Sequence, residues 1–391
     1  MIGALSAAAA TILISAVLRS RFFAIFVGVF LGIQTLIAVS LFEHAMPFWP
    51  VVVYLQTTVC LHFLSLGRAR MRGPAFRAFI SVPALFFAAG TLLCLPFAIL
   101  DAFGAPPWGL PLPFLIAAVG VVQSLRSKDE VVEISLDRAP VKKLSRHPRG
   151  GAAPSVPLRI AQITDPHLGP LMSVARMRGI CERAVAKAPD FIVITGDFMT
   201  MESQADPQTL VDALEPLASF DGRVFACFGN HDHEAPQIVR DACTQHGIEL
   251  LIDEEALIET ESGWVQIVSA DFSFRKRKER LEALAEKFPR RAEHLRLWLL
   301  HDPGAFRHLP DADADLVLAG HTHGGQLGLL SLGIPWTVVS GFTSIPDHGL
   351  WALGGNRMYV HRGTGVYGFP LRVGVPGEES VLHVHKAPEP S

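Results

Sequence analysis

The chain has 391 residues, a net charge of −3, a hydrophobic fraction of 50% and a charged fraction of only 18%. Its length allows two or more modules. Its charge lies below the roughly 25% usual in soluble domains, and a balance so near neutrality gives no sign of nucleic-acid binding. Nearly all of the apolar excess falls before Arg126, so a membrane region over residues 1–125 is expected to precede a water-exposed part.

A bilayer span needs about 20 apolar residues, and the candidates are 3–18, 22–42, 48–66, 78–100 and 107–125. The first is short and Ala-rich. No Lys or Arg leads it and no cleavage motif comes after it, so it reads as a span rather than a targeting peptide, in a region of four to five helices. The turns between segments alternate in charge. Arg19 and Arg21 follow the first segment; Glu43 and His44, without Lys or Arg, the second; Arg68, Arg70, Arg72 and Arg77 the third; Asp101 the fourth; Arg126 and Lys128 the fifth. The positive-inside rule puts the Arg-rich turns in the cytoplasm. The expectation is a multi-pass protein of the inner membrane, N-terminus outside, with everything after Arg126 cytoplasmic. Trp49 and Trp108 then sit at the outer interface. Segment interiors carry no charge. Their main polar residues, Gln34, Gln56 and His62, suit helix–helix hydrogen bonds, so an anchor is expected rather than a transport pathway. Cys60, Cys94, Cys181, Cys227 and Cys243 show no paired spacing, which fits reduced, buried thiols in a cytosolic setting.

Residues 126–157 read as a basic, Pro- and Gly-rich linker, with a short alternating strand at 131–136. Then come a strand at 158–164, a helix at 174–187 capped by Ser173, a strand at 191–195, a helical stretch near 207–218, and strands at 224–228, 264–269, 295–300, 315–319 and 358–361. Alternating strands and helices over a domain at 158–386, with a tail at 387–391, indicate α/β layering.

The residues just past the strands carry the chemistry. The strand at 158–164 runs into Asp165-Pro166-His167, and the next into Gly196-Asp197. The strands at 224–228, 295–300 and 315–319 run into Gly229-Asn230-His231-Asp232, into His301 and into Gly320-His321-Thr322-His323. Ligands in open α/β sheets bind beyond the carboxyl ends of strands. One sheet edge therefore receives Asp165, His167, Asp197, Asn230, His301, His321 and His323. Each motif alone arises by chance. Two His two positions apart on extended chain point the same way, as paired metal ligands must, and the ordered set is specific.

These motifs resemble the calcineurin-like metallophosphoesterase family over roughly residues 158–386. With the membrane segments, the chain is similar to the bacterial membrane-anchored branch that includes UDP-2,3-diacylglucosamine hydrolases. Tyr359 to Gly365 and Pro370-Leu371-Arg372 resemble that branch's closing strand and loop. The chain departs at Phe198-Met199-Thr200, where many relatives place a further Asp, at Asp302, where they place Asn, and at Pro376-Gly377-Glu378-Glu379. The resemblance implies a four-layer αββα sandwich and two divalent metal ions, Mn, Fe or Zn. Asp165, His167 and His323 would hold the first, Asn230, His301 and His321 the second, and Asp197 would bridge them. Two dications about 3.5–4 Å apart need a shared carboxylate, and the neutral Asn230 leaves the site slightly positive toward phosphate. A bridging water of lowered pKa would attack phosphorus in line, with His231 as general acid or transition-state donor and Asp232 orienting it. His361 is a candidate pocket residue, whereas His233, His246 and His294 are expected at the surface. The basic run of Arg275, Lys276, Arg277, Lys278 and Arg280 reads as a solvated face, or as a contact for anionic headgroups.

The expected protein is a membrane-anchored, cytoplasm-facing phosphoesterase acting on a phosphodiester or pyrophosphate, lipid-linked in the manner of UDP-2,3-diacylglucosamine. The alternatives are a phosphodiesterase for soluble nucleotides, and a membrane sensor or scaffold whose domain only binds metal. The expected partners are the bilayer and a phosphate-containing substrate. Substrate identity and oligomeric state stay open.

Overall fold

A computed structural model describes residues 2–137, 139–148, 150 and 156–386; the expected tail at 387–391 lies outside them. The apolar region folds into helices α1 (Ile2–Leu18), α2 (Arg21–Ser40), α3 (Trp49–Ser65), α4 (Pro74–Leu93), α5 (Leu95–Ala102) and α6 (Pro111–Ser124). Arg21–Ser40, Phe42–Ser65 and Pro74–Leu93 are long and apolar enough to cross a membrane, while α1 and α6 are shorter. The single span expected at 78–100 is corrected: α4 ends at Leu93 and α5 starts at Leu95. Pro96 has no N–H to continue the ladder, so the chain breaks there. Gln34 and Gln56 exchange side-chain hydrogen bonds of 3.1 and 3.2 Å, as expected for polar groups between apolar helices.

The turns separate by charge. Arg19 reaches the carbonyls of Leu66 and Met201 and the side chain of Gln204, and the Arg77 guanidinium donates to the Pro170 carbonyl. The Arg-rich turns thus abut the α/β part of the chain. The two turns lacking Lys and Arg meet elsewhere, where His44 lies 2.8 Å from Asp101. The 20 residues of α2 put about 30 Å between its two ends.

The α/β part comprises strands β1 (Ser127–Ser135), β2 (Val141–Arg146), β3 (Leu158–Ile163), β4 (Phe191–Ile194), β5 (Val224–Ala226), β6 (Glu249–Leu250), β7 (Glu255–Thr260), β8 (Gly263–Ala270), β9 (Leu295–Leu300), β10 (Leu316–Ala319), β11 (Gly349–Gly354), β12 (Asn356–Val360) and β13 (Gly377–His385). Helices α7 (Val174–Ala186), α8 (Pro207–Leu214), α9 (Pro236–Gln245) and α10 (Arg277–Lys287) complete it. One sheet runs β1-β13-β3-β4-β5-β6 and the other β2-β11-β12-β10-β9-β8-β7. Ile160, Val193, Leu297, Leu318 and Leu382 pack between the sheets. Ala161, Ile163 and Ile194 face the other way, onto Met177, Leu210 and Val239 of α7 to α9. Trp298 and Val317 turn outward onto Leu281 and Leu284 of α10. The result is the expected αββα arrangement. Its central strands are apolar on both faces because both faces are covered.

The linker expected at 126–157 is corrected over much of its length. β1 pairs in parallel with β13, and β2 pairs antiparallel with β11, one strand to each sheet. Both are edge strands carrying exposed charges, such as Lys128 and Asp129 on β1 and Lys142 and Lys143 on β2. The strand expected at 131–136 is the second half of β1; edge strands are commonly charged, and on β2 those charges hide the alternation. All five cysteines are free and buried. Residues 327–345 hold no charged residue and expose Leu332, Ile334, Trp336 and Phe342. This segment is tied to the end of α6 by a 2.8 Å bond from Gln123 Nε2 to Ser331 Oγ.

Candidate active site

The five strand ends converge, and the chain beyond them is bent. Asp165, His167, Asp197, His321 and His323 all have φ between 48° and 68°. Non-glycine residues enter this left-handed region at a cost and cluster at functional sites. Glycines permit the close approach. A Cβ on Gly229 would sit 2.1 Å from Asp197 Oδ1, and one on Gly320 would sit 2.3 Å from Asp165 Oδ2.

Two buried triads result. Asp165, His167 and His323 bring their ligand atoms within 4.8 Å of one another, and so do Asp197, His301 and His321. Asp197 Oδ2 belongs to both neighbourhoods, 3.5 Å from His167 Nε2 and 3.2 Å from His301 Nε2. Asn230 Oδ1 lies 3.3 Å from His301 Nε2, beside the second triad. The structure thus brings all seven predicted residues together. His301 Nδ1 is 2.7 Å from the Thr195 carbonyl and His167 Nδ1 is 3.3 Å from that of Met199. A carbonyl can only accept, so the proton sits on Nδ1 and each Nε2 lone pair is left for the site, as metal-binding His requires.

The donor set fits divalent cations. Burial pushes His167 down to about 3 and His321 to about 4, so both are neutral ligands. His301 goes the other way, up to about 10. Burial opposes the shift, but the carboxylates of Asp197 and Asp165 and the Thr195 carbonyl together outweigh it. A proton there supplies positive charge beside Asp197, a role a metal would fill.

His231 is at the site, and its support differs from expectation. Its N–H donates to Asp197 Oδ1 at 2.8 Å, and its ring packs against Tyr367 at 4.3 Å. Asp232 does not orient it. The Asp232 carboxylate accepts from the N–H groups of Asp197, Phe198 and Gly229 at 2.7 to 2.9 Å, pinning two strand-end loops together. The imidazole Nδ1 instead meets Glu234 Oε1 at 2.8 Å. Glu234 was missed in the sequence, although it lies one turn after His231. Tyr367 was also missed. It stacks on His167 with centroids 4.7 Å apart, and nothing local marks it.

His361 is corrected as a pocket residue. It is fully buried and its Nδ1 accepts from the Gly363 N–H at 2.9 Å. His246 is buried against the Val211 carbonyl rather than at the surface, whereas His233 pairs with Asp271 and His294 stacks on Trp264. The basic run is partly internal: Arg277 pairs with Asp302, and Arg280 with Asp253. Asp302, one of the departures, also caps the turn after His301 through the Gly304 N–H. Buried Arg372 donates to the carbonyls of His323, Arg362 and Gly365, clasping the closing loop under the site.

Two sandwiched sheets with this donor set on their strand ends define the class. The α/β part of the chain is a calcineurin-like metallophosphoesterase domain, a phosphoesterase hydrolase: residues 158–325 match the family described as calcineurin-like phosphoesterase. Among curated relatives, phosphodiesterase YaeI of Escherichia coli is 28% identical over 222 residues, covering 56% of this chain and 79% of its own. A transmembrane protein with metallophosphoesterase domain from Danio rerio is 27% identical over 284 residues, 67% of this chain and 59% of its own. Among solved structures, Haemophilus influenzae NAD nucleotidase covers 54% of this chain and 51% of its own at 13% identity, with a TM-score of 0.36.

Proposed function

We propose that the protein is a membrane-anchored, binuclear metal-dependent phosphoesterase of the inner membrane. Its site faces the cytoplasm and cleaves a phosphodiester or pyrophosphate of a membrane-bound substrate, lipid-linked in the manner of UDP-2,3-diacylglucosamine. The observation that carries the reading is the Asp197 carboxylate, one oxygen of which lies within 3.5 Å of both triads. Asp165, His167 and His323 would hold one ion, Asn230, His301 and His321 the other, and Asp197 both. Mn, Fe and Zn all accept such N and O donors. When bound, the pair supplies charge for the phosphoryl oxygens and a water nucleophile active at neutral pH.

The chain's own residues do the rest. Asp197 Oδ1 holds the His231 backbone while Oδ2 faces the triads. Burial would lower the His231 pKa, but Glu234 and Asp197 raise it above the ordinary value. An imidazolium held by Glu234 at Nδ1 is suited to protonate the leaving oxygen as general acid. The name of the Escherichia coli relative supports a diester substrate. The apolar helices, the Arg-rich turns on the domain's side and the uncharged segment 327–345 beside α6 support a site held against the cytoplasmic face.

The test is hydrolysis of bis(p-nitrophenyl) phosphate by purified protein with Mn, beside metal analysis of Asp197→Ala. Turnover by wild type, with loss of both ions and of activity in the variant, is expected. No turnover together with unchanged metal content in the variant sinks the reading. A fluorescent reporter joined after Ser391 should mature; periplasmic alkaline phosphatase activity there would reverse the orientation.

A further inference from the structure

A half-open cavity lies between the apolar helices and the metallophosphoesterase domain. Phe26, Phe30, Phe63 and Leu85 of α2, α3 and α4 form one part of its wall, and His167 and Tyr367 of the site another. The wall is mainly apolar. Phe26 is also 44% exposed, inside a segment apolar enough to span. The cavity therefore runs from a partly exposed side chain of a candidate membrane span to a candidate metal ligand.

The join is built rather than incidental. Met201, four residues past Asp197, packs into the hydrophobic cluster of the membrane helices. Leu171 and Leu371 of the domain share another cluster with Ala89 and Ala117 of the helices. The departure at Phe198-Met199-Thr200 thus leads a strand-end loop into the bundle. Two lining residues, His62 and Glu202, each carry a buried polar atom without a hydrogen-bond partner, His62 Nδ1 and Glu202 Oε2. Buried polar atoms normally find partners, so a ligand bearing hydroxyl or ester groups is called for beside the hydrocarbon.

We propose that this cavity seats one hydrocarbon chain of a membrane-lipid phosphoester substrate, which enters from the bilayer past Phe26. His62 and Glu202 bind the oxygen-bearing backbone between chain and phosphate, and the phosphate rests against His167. The proposal rests on the phosphoesterase reading above and adds the seat and entry route of the lipid chain. No bond changes in the cavity; cleavage stays at the metal site.

Two readouts test it. The first is the chain-length dependence of kcat/KM with Mn on p-nitrophenyl alkyl phosphodiesters. Full burial predicts about a fourfold gain per added methylene up to the cavity's capacity, since each buried CH₂ is worth roughly 0.8 kcal/mol. Ala88→Phe, which fills the wall, should flatten that slope. The second readout is independent of turnover: a phospholipid with a diazirine in its chain is photolysed on the chelated protein, and the labelled peptides are mapped. Labels on Phe30, Phe63 and Leu85, reduced at least tenfold by Ala88→Phe, are expected. Labels confined to outward residues such as Ile25 and Val29, or hydrolysis indifferent to chain length, overturn the proposal; internal labels with a flat chain-length series would mark a structural lipid instead. Internal labels without hydrolysis of any diester would instead overturn the phosphoesterase reading and leave a chain-binding site.

Discussion

Replacing Gly229 with alanine would set a methyl carbon 2.1 Å from Oδ1 of Asp197, and 2.6 Å from both its Cγ and its backbone N. Real Cβ atoms essentially never come closer than 3.0 Å to a neighbour, so the carboxylate must retreat by about 0.9 Å, the difference of the two distances. Gly229 does not have a positive φ, so the clash is the whole effect. The displaced oxygen is the acceptor of the His231 N–H, and its partner oxygen serves both triads. A misplacement of about 1 Å costs on the order of 10²-fold in rate, and overpacking costs about 1–3 kcal/mol of stability. Gly229→Ala is therefore expected to fold, to bind fewer than two Mn ions per chain by mass spectrometry of metals, and to lose about 10²-fold in kcat/KM on bis(p-nitrophenyl) phosphate. Gly222→Ala is the control. Gly222 also lies outside any helix or strand, and a Cβ there meets nothing within 4 Å. Its φ of +70° should cost stability without touching metal content. Full occupancy and wild-type turnover in Gly229→Ala would refute the placement of Asp197 as the shared ligand.

His231→Ala should lower kcat by 10²- to 10⁴-fold, the usual range for a positioned acid. Glu234→Gln removes the carboxylate that raises the His231 pKa; the acid form then persists over a narrower range, and the basic limb of the pH–rate profile should move to lower pH. An unmoved limb would reject Glu234 as its partner. Burial lifts Glu202 from 4.5 to about 7, although Arg72 and Arg77 oppose the shift. Between those values the folded state holds the extra proton, so stability falls as pH rises through the window. Glu202→Gln should flatten that decline, by no more than about 3 kcal/mol; melting curves that keep the wild-type pH dependence would contradict it. Trp336→Ser with Phe342→Ser strips exposed apolar surface from the segment tied to α6. Each buried aromatic is worth about 1.5–3 kcal/mol, so hydrolysis of vesicle-embedded substrate should fall while hydrolysis of soluble diester stays constant. Equal losses on both would argue for a folding defect.

The residues of the candidate site were legible because each motif directly follows an apolar run. β3, β4, β5, β9 and β10 are buried on both faces, so the sequence reads as a hydrophobic block interrupted by Asp or His. The apolar helices of the N-terminal part were legible for the same reason, since long apolar stretches commonly form spanning helices. The first half of β1, all of β2 and the break at Pro96 were not, because edge strands carry surface charges and a proline inside an apolar run leaves hydropathy unchanged. By itself the sequence determined the layered class, the seven residues that converge past the strand ends and the alternation of the Arg-rich turns; these depend on local residue type and spacing. Only the tertiary structure decided that Glu234 and Tyr367, from separate segments, both hold the His231 ring, that Asp232 binds backbone, and that the helices and the site enclose one cavity. Most of these contacts join segments far apart in the chain. They are set by how helices and sheets pack, and not by the residues adjoining each group.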